Sequence, residues 1–142
     1  MLTPIVIPSP NKKYNAILTY TGEIQANQPC YSLSIDGLLY AFTDRIFGEV
    51  CLWSPGSRFL AVQEWKEADE ANDPQYCLLS IIDILARREC IIANVEGTKG
   101  IVLPESFIGE ILMYTVSYYG RFGLTKSFES KFRFLDGWQT LK

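Results

Sequence analysis

The residues best placed to do chemistry concentrate in one segment. Glu64-Trp65-Lys66-Glu67-Ala68-Asp69-Glu70-Ala71-Asn72-Asp73-Pro74 carries five carboxylates against one lysine, a local charge of −4. Clustered carboxylates steer a cationic protein toward them and speed its encounter. They can also coordinate calcium, or simply keep a hairpin loop solvated. The spacing lacks the glycine at the sharp turn and the distal glutamate of an EF-hand, so calcium is set aside. Docking to a basic partner and plain solvation both remain open. A second segment, Tyr118-Tyr119-Gly120-Arg121-Phe122-Gly123, offers tyrosine and arginine, the side chains that anchor interfaces. In a small β-protein the same residues also wrap a core, and Trp65 and Trp138 are ambiguous in the same way.

Catalysis finds little material. The chain has no histidine, which removes the commonest general base, nucleophile activator and metal ligand. Ser57, Ser80 and Ser127 therefore lack a histidine partner, and Lys99 near Glu96 reads as an exposed turn pair. Gly97-Thr98-Lys99-Gly100 lacks the full glycine spacing and the following helix of a phosphate loop. Cys30, Cys51, Cys77 and Cys90 each sit in an apolar run and form no CxxC pair, so buried free thiols are expected rather than zinc ligands. The expectation is a protein that is not an enzyme, with no metal and no cofactor.

Charge limits the partners. The net charge of −3 argues against nucleic acid, which is usually met by a basic face. The segment from Arg121 to Lys142 is locally +3 with interleaved aromatics, a pattern that could stack on single strands. Period-2 alternation explains it more simply: Phe128, Ser130, Phe132 and Phe134 would face a core while Glu129, Lys131 and Arg133 face water. No apolar run approaches the ~20 residues that span a bilayer. The apolar start, Met1 to Pro8, lacks a basic leader and is interrupted by prolines, so a cytoplasmic protein without a membrane contact is expected.

These residues must be positioned by strands. The chain of 142 residues, 48% hydrophobic and 13% aromatic, suits one folded domain spanning residues 1–142. The stretch from Val50 to Asp83 organises it: a strand to Trp53, a break at Ser54-Pro55-Gly56-Ser57, a strand from Arg58 to Trp65, the acidic loop, and an almost wholly apolar strand from Tyr76 to Ile84. Such a run suits a strand buried on both faces. Further strands are expected at Ile5–Ile7, Tyr14–Tyr20, Cys30–Ile35, Leu38–Thr43, Arg87–Asn94, Ile101–Leu103, Ile111–Tyr119 and Ser127–Leu135, with Asp36-Gly37 as a hairpin turn and Pro104-Glu105-Ser106 as a break. No long stretch has helical periodicity, so the fold class is all-β with antiparallel strands.

The chain also resembles itself. Ser9-Pro10 and Ser54-Pro55 are followed at the same offset by Tyr14 and Phe59, Ala16 and Ala61, Tyr20 and Trp65. Cys30 to Asp36 then aligns with Cys77 to Asp83, and Leu103-Pro104-Glu105-Ser106 opens a fainter third copy. Each unit resembles a β-propeller blade of the WD-repeat kind: Trp53 to Val62 is similar to the inner-strand turn, and Ile81-Ile82-Asp83 to the strand that ends in an acid before a turn. The family's Gly-His and Trp-Asp marks are absent. The resemblance implies a scaffold for protein contacts. Propellers close with about four to eight blades, whereas this chain holds about three units of roughly 45 residues. An open twisted array, a sandwich, or a partial propeller completed by another chain is therefore expected, and a homo-oligomer is one way to cover its edges.

The functional expectation is a non-catalytic domain that binds another protein with a basic surface, in its most concrete form an immunity or inhibitor protein that neutralises a basic toxin such as a nuclease. The partner-binding residues would be Glu64, Trp65, Glu67, Asp69, Glu70, Asp73, Tyr118, Tyr119 and Arg121. The alternatives are a self-associating structural or adaptor protein, and a small-ligand binder with a pocket built from Tyr114, Phe128 and Trp138.

Overall fold

The computed structural model describes residues 3–25, 28–38, 41–66, 76–95, 100–118 and 124–141. Strands β1 (Ile5–Pro8), β2 (Asn15–Gln25), β3 (Gln28–Ile35), β4 (Ile46–Trp53), β5 (Phe59–Lys66), β6 (Tyr76–Asp83) and β7 (Arg88–Val95) follow one another in an antiparallel sheet. A second antiparallel sheet contains β8 (Gly100–Ile108), β9 (Ile111–Tyr118) and β10 (Thr125–Ser130), in the order β10-β9-β8. The chain then returns through a 3-10 turn at Phe132–Phe134, and β11 (Gln139–Thr140) joins the large sheet beside β7 as its eighth strand.

Strands β5 and β6 are the centre because both of their faces are covered. On one face Leu60, Val62 and Ile82 meet Ala16, Leu18, Leu33, Ile35 and Phe47 from β2 to β4. On the other, Ala61, Trp65, Cys77, Leu79 and Ile81 meet Val102, Leu112 and Val116 of the second sheet. This double burial is why residues 77–84 are apolar almost without interruption. Strands β2 and β5 are not neighbours, yet their side chains share one core, so the large sheet bends between them. The bend has a local cause: β3 and β4 are registered by the single pair Tyr31↔Phe47, and β4 is irregular between Phe47 and Cys51.

Beside this irregularity Gln63 packs onto a bare Cα. A Cβ on Gly48 would overlap Gln63 Oε1, whose amide nitrogen donates to Val102 O at 3.2 Å and ties β5 to β8. Val102 N–H in turn donates to Cys77 Sγ at 3.4 Å. The two sheets are thus joined by buried hydrogen bonds as well as by apolar contact.

The repeat is realised in the turns. Ser9 N–H donates to Tyr14 O at 2.8 Å, Tyr14 N–H returns to Ser9 Oγ at 3.1 Å, and Lys12 N–H donates to Ser9 O at 2.8 Å. Forty-five residues on, Ser54, Phe59 and Ser57 make the same three bonds at 2.8, 3.0 and 2.9 Å. Lys12 and Ser57 both have φ of 63°. The first turn sits on the second: Asn11 N–H donates to Ser57 Oγ at 2.9 Å, Trp53 Nε1 donates to Ile7 O at 2.9 Å, and the Tyr14 and Trp53 rings stack.

Four expectations are corrected. The described residues of Leu38 to Thr43 form turns and not a strand: Leu38 N–H donates to Ile35 O at 2.9 Å, Ala41 N–H to Leu38 O at 3.3 Å and Arg45 N–H to Phe42 O at 3.3 Å, and Leu38 and Phe42 both enter the core. Pro104 does not break β8, because β8 is an edge strand with an irregular register between Pro104 and Ser106, where a missing N–H is tolerated. The turn expected at Pro104 falls instead at Gly109, with φ of 59°, between β8 and β9. Finally, Ser127 to Leu135 is not one half-buried strand. It leaves the sheet after Ser130, so Phe132 is buried while Phe128 is 38% and Phe134 76% exposed.

Candidate interaction surface

The register decides what the two sequence-predicted segments share. Lys66 pairs with Tyr76 and Cys77 with Val95, so β5, β6 and β7 meet one end of the large sheet at these residues. Gly100 pairs with Tyr118, and a Cβ on Gly100 would stand 3.0 Å from Val95 Cγ1. The strand ends that lead into residues 67–75 and 119–123 therefore lie at the same end of the two sheets.

Glu64 and Trp65, expected in the docking set, are corrected to the interior: they are 2% and 3% exposed. Glu64 is inward because β5 is covered on both faces. Its charge is matched by Arg45, which donates from Nε and Nη2 to the two oxygens of Glu64 at 2.8 and 2.9 Å. The same guanidinium donates from Nη1 and Nη2 to both oxygens of Glu89 on β7 at 2.9 Å. Its carbon lies 5.3 Å from the Phe42 ring centre and 5.4 Å from that of Phe47. Burial disfavours the charged guanidinium, but the hydrogen bonds and attraction from Glu64 and Glu89 outweigh it and raise the Arg45 pKa above its ordinary value. A cavity of about 430 Å³ opens beside this cluster, lined by Arg45, Glu64, Lys66, Glu89 and Gln139 among others. Trp65 Nε1 is buried without a hydrogen-bond partner.

Tyr118 is 39% exposed at the end of β9. Glu67, Asp69, Glu70, Asp73, Tyr119 and Arg121 lie outside the described residues, as do Glu96 and Lys99. Of the aromatic-pocket residues, Tyr114 stacks on Phe128 at 5.5 Å, while Trp138 packs against Phe59 and beneath Arg88 instead.

At the opposite end, Asp83 is fully buried and accepts from Arg58 Nε and Nη2 at 2.9 and 3.0 Å, from Arg88 Nε at 3.1 Å and from Ala86 N–H at 3.2 Å. Burial alone would raise its pKa; the bonds from Arg58, Ala86 and Arg88 together hold it below the usual carboxylate value. The cysteines are free, and burial pushes Cys51 up to about 12 and Cys77 up to about 11, which keeps both as unreactive thiols. Ser57 is engaged in the turn contact with Asn11, and Ser80 is buried on β6. Among the described residues no group of three or more His, Cys, Asp or Glu could hold a metal ion, and no helix is long and apolar enough to cross a membrane.

Sequence reasoning placed Asp83 at a strand end but missed its arginine partners, and it missed the Arg45 cluster altogether. One signal was available: an acid inside a run buried on both faces, as Glu64 and Asp83 are, requires a cation from elsewhere in the chain. No protein-family model, no curated protein and no solved structure matches this chain.

Proposed function

We propose that the protein is a non-catalytic domain that works in the cytoplasm by binding another protein, in its most concrete form as an immunity or inhibitor protein covering the active cleft of a basic toxin such as a nuclease. The observation that carries this is the convergence of strand ends: the strands that lead into the acidic segment and into the aromatic segment after Tyr118 finish at one end of the two sheets, which is what a single surface drawing on both would require. Glu64 does not contribute to that surface. It anchors the root of the acidic segment through Arg45. The docking set then consists of Glu67, Asp69, Glu70, Asp73, Tyr118, Tyr119 and Arg121. The four free thiols suit a reducing compartment.

The body that carries this surface reads as a partial propeller of about three blade-like units. The three bonds shared by the Ser9 and Ser54 turns support it, as does the seating of one turn on the other. An experimental structure in which β1–β3 and β4–β7 fail to superpose removes that part.

The test is kinetic. Association is measured between this protein and the product of a neighbouring toxin-like reading frame, with and without charge reversal at Glu67, Asp69, Glu70 and Asp73. The reversal slows association by about tenfold or more at low salt, with a smaller effect at high salt, and leaves the circular-dichroism spectrum unchanged. Unchanged association after the reversal removes the acidic segment from the account.

A further inference from the structure

The end of the sheets opposite the acidic segment holds an arrangement that protein docking does not use. Arg58, Arg88 and Arg133 line one open cavity of about 320 Å³ together with Phe59, Glu110 and Phe134. Three cations at one place are unexpected in a chain whose net charge is −3.

Their positions are set from beneath. Asp83 takes Nε and Nη2 of Arg58 and Nε of Arg88, which leaves Arg58 Nη1 and both Nη atoms of Arg88 outside those bonds. Aromatic rings lie beneath the guanidinium carbons: that of Arg88 is 4.3 Å from the Trp138 ring centre, and those of Arg58 and Arg133 are 5.1 and 5.2 Å from the Phe59 ring centre. The charge of Asp83 is buried and shared by two arginines. The remaining acid, Glu110, is 61% exposed and holds Arg133 Nη1 at 3.0 Å. An incoming anion would compete with Glu110 for Arg133, and both side chains are exposed enough to rearrange. Phe134, 76% exposed, presents an apolar ring at the cavity.

We propose that this cavity binds a small phosphate monoester bearing an aromatic ring, with the phosphate among Arg58, Arg88 and Arg133 and the ring against Phe134. One guanidinium fork satisfies a carboxylate, whereas donors from three guanidiniums lining one cavity suit the three terminal oxygens and the higher charge of a phosphate monoester. An exposed phenylalanine beside such a group supplies a stacking face for a flat substituent. This site is independent of the acidic end, so its failure would leave the docking proposal standing.

The experiment is a calorimetric titration of the full chain with phenyl phosphate, inorganic phosphate and benzoate. Phenyl phosphate binds saturably and tightest of the three. Arg133→Gln weakens it about tenfold, the loss of one charge-assisted contact, while Glu110→Gln tightens it by removing the competitor. Phe134→Ala weakens phenyl phosphate and leaves inorganic phosphate unchanged. All three positions are well exposed, so the variants fold, which a thermal melt verifies. Three results overturn the proposal: no saturable binding of phenyl phosphate, binding indifferent to Arg133→Gln, or benzoate binding as tightly as phenyl phosphate, which would make it a carboxylate site.

Discussion

Arg45 answers two carboxylates with one guanidinium, and at Glu64 it neutralises a charge that has almost no contact with water. Removing the cation is therefore worse than removing the whole cluster. Arg45→Ala costs about 3–5 kcal/mol, because a buried carboxylate is left unpaired. Arg45→Lys falls between, since an ammonium cannot fork onto four oxygens. The triple variant Arg45→Met, Glu64→Met, Glu89→Leu unfolds close to the wild type. Urea denaturation reads all three, and an Arg45→Ala variant within 1 kcal/mol of wild type would contradict the role given to the cluster. Asp83 makes a different statement, about pH. Its folded pKa lies below the ordinary value of 3.8, so its contribution is complete above that value and disappears as the pH falls through the lowered one. Asp83→Asn should lose about 2 kcal/mol or more at neutral pH. The gap between wild type and variant should close progressively in unfolding curves taken below pH ~4. A gap that stays constant down to the lowest pH would show that the carboxylate charge is not what stabilises the turn.

Strands and turns were the legible level. The alternation of Tyr14 to Tyr20 became β2 with Ala16 and Leu18 inside, and the apolar run from Tyr76 became a strand covered on both faces. The repeated Ser-Pro turns were readable because their bonds are local, closing within five residues. Failures came where a remote element overrode the pattern. Phe128, Phe132 and Phe134 alternate perfectly, yet the chain must leave the second sheet to bring β11 to β7, and only Phe132 finds a core. Pro104 looked like a stop because nothing local says that β8 is an edge. Gly48 is of the same kind: its need for a bare Cα comes from Gln63, a partner on the adjacent strand. Gly48→Ala should lower stability by about 1–3 kcal/mol through displacement of Gln63 and loss of its bond to Val102. In a double-mutant cycle with Gln63→Ala the two losses should be less than additive. Additive losses would mean that Gly48 is required for another reason.

Taken whole, the described strands place two different groups of residues at their two ends. One end gathers the strand ends that lead to the acidic segment and the aromatic turn, and the other gathers Arg58, Arg88 and Arg133 over a buried aspartate. The strand ends that lead to the proposed docking segments and the proposed anion cavity are at opposite ends of the sheets, so substitutions for one test need not touch the other. Composition and periodicity by themselves determined that the chain is built of antiparallel strands, because side-chain alternation and turn chemistry act over a few residues. They also located the acidic segment. That Glu64 is held and not available was decided by tertiary structure alone: it opens the acidic run in sequence, yet β5 turns it inward to Arg45, nineteen residues away. Charge along a chain is read from its letters, but its availability depends on which face of a strand is covered, and that is set by partners the local sequence does not name.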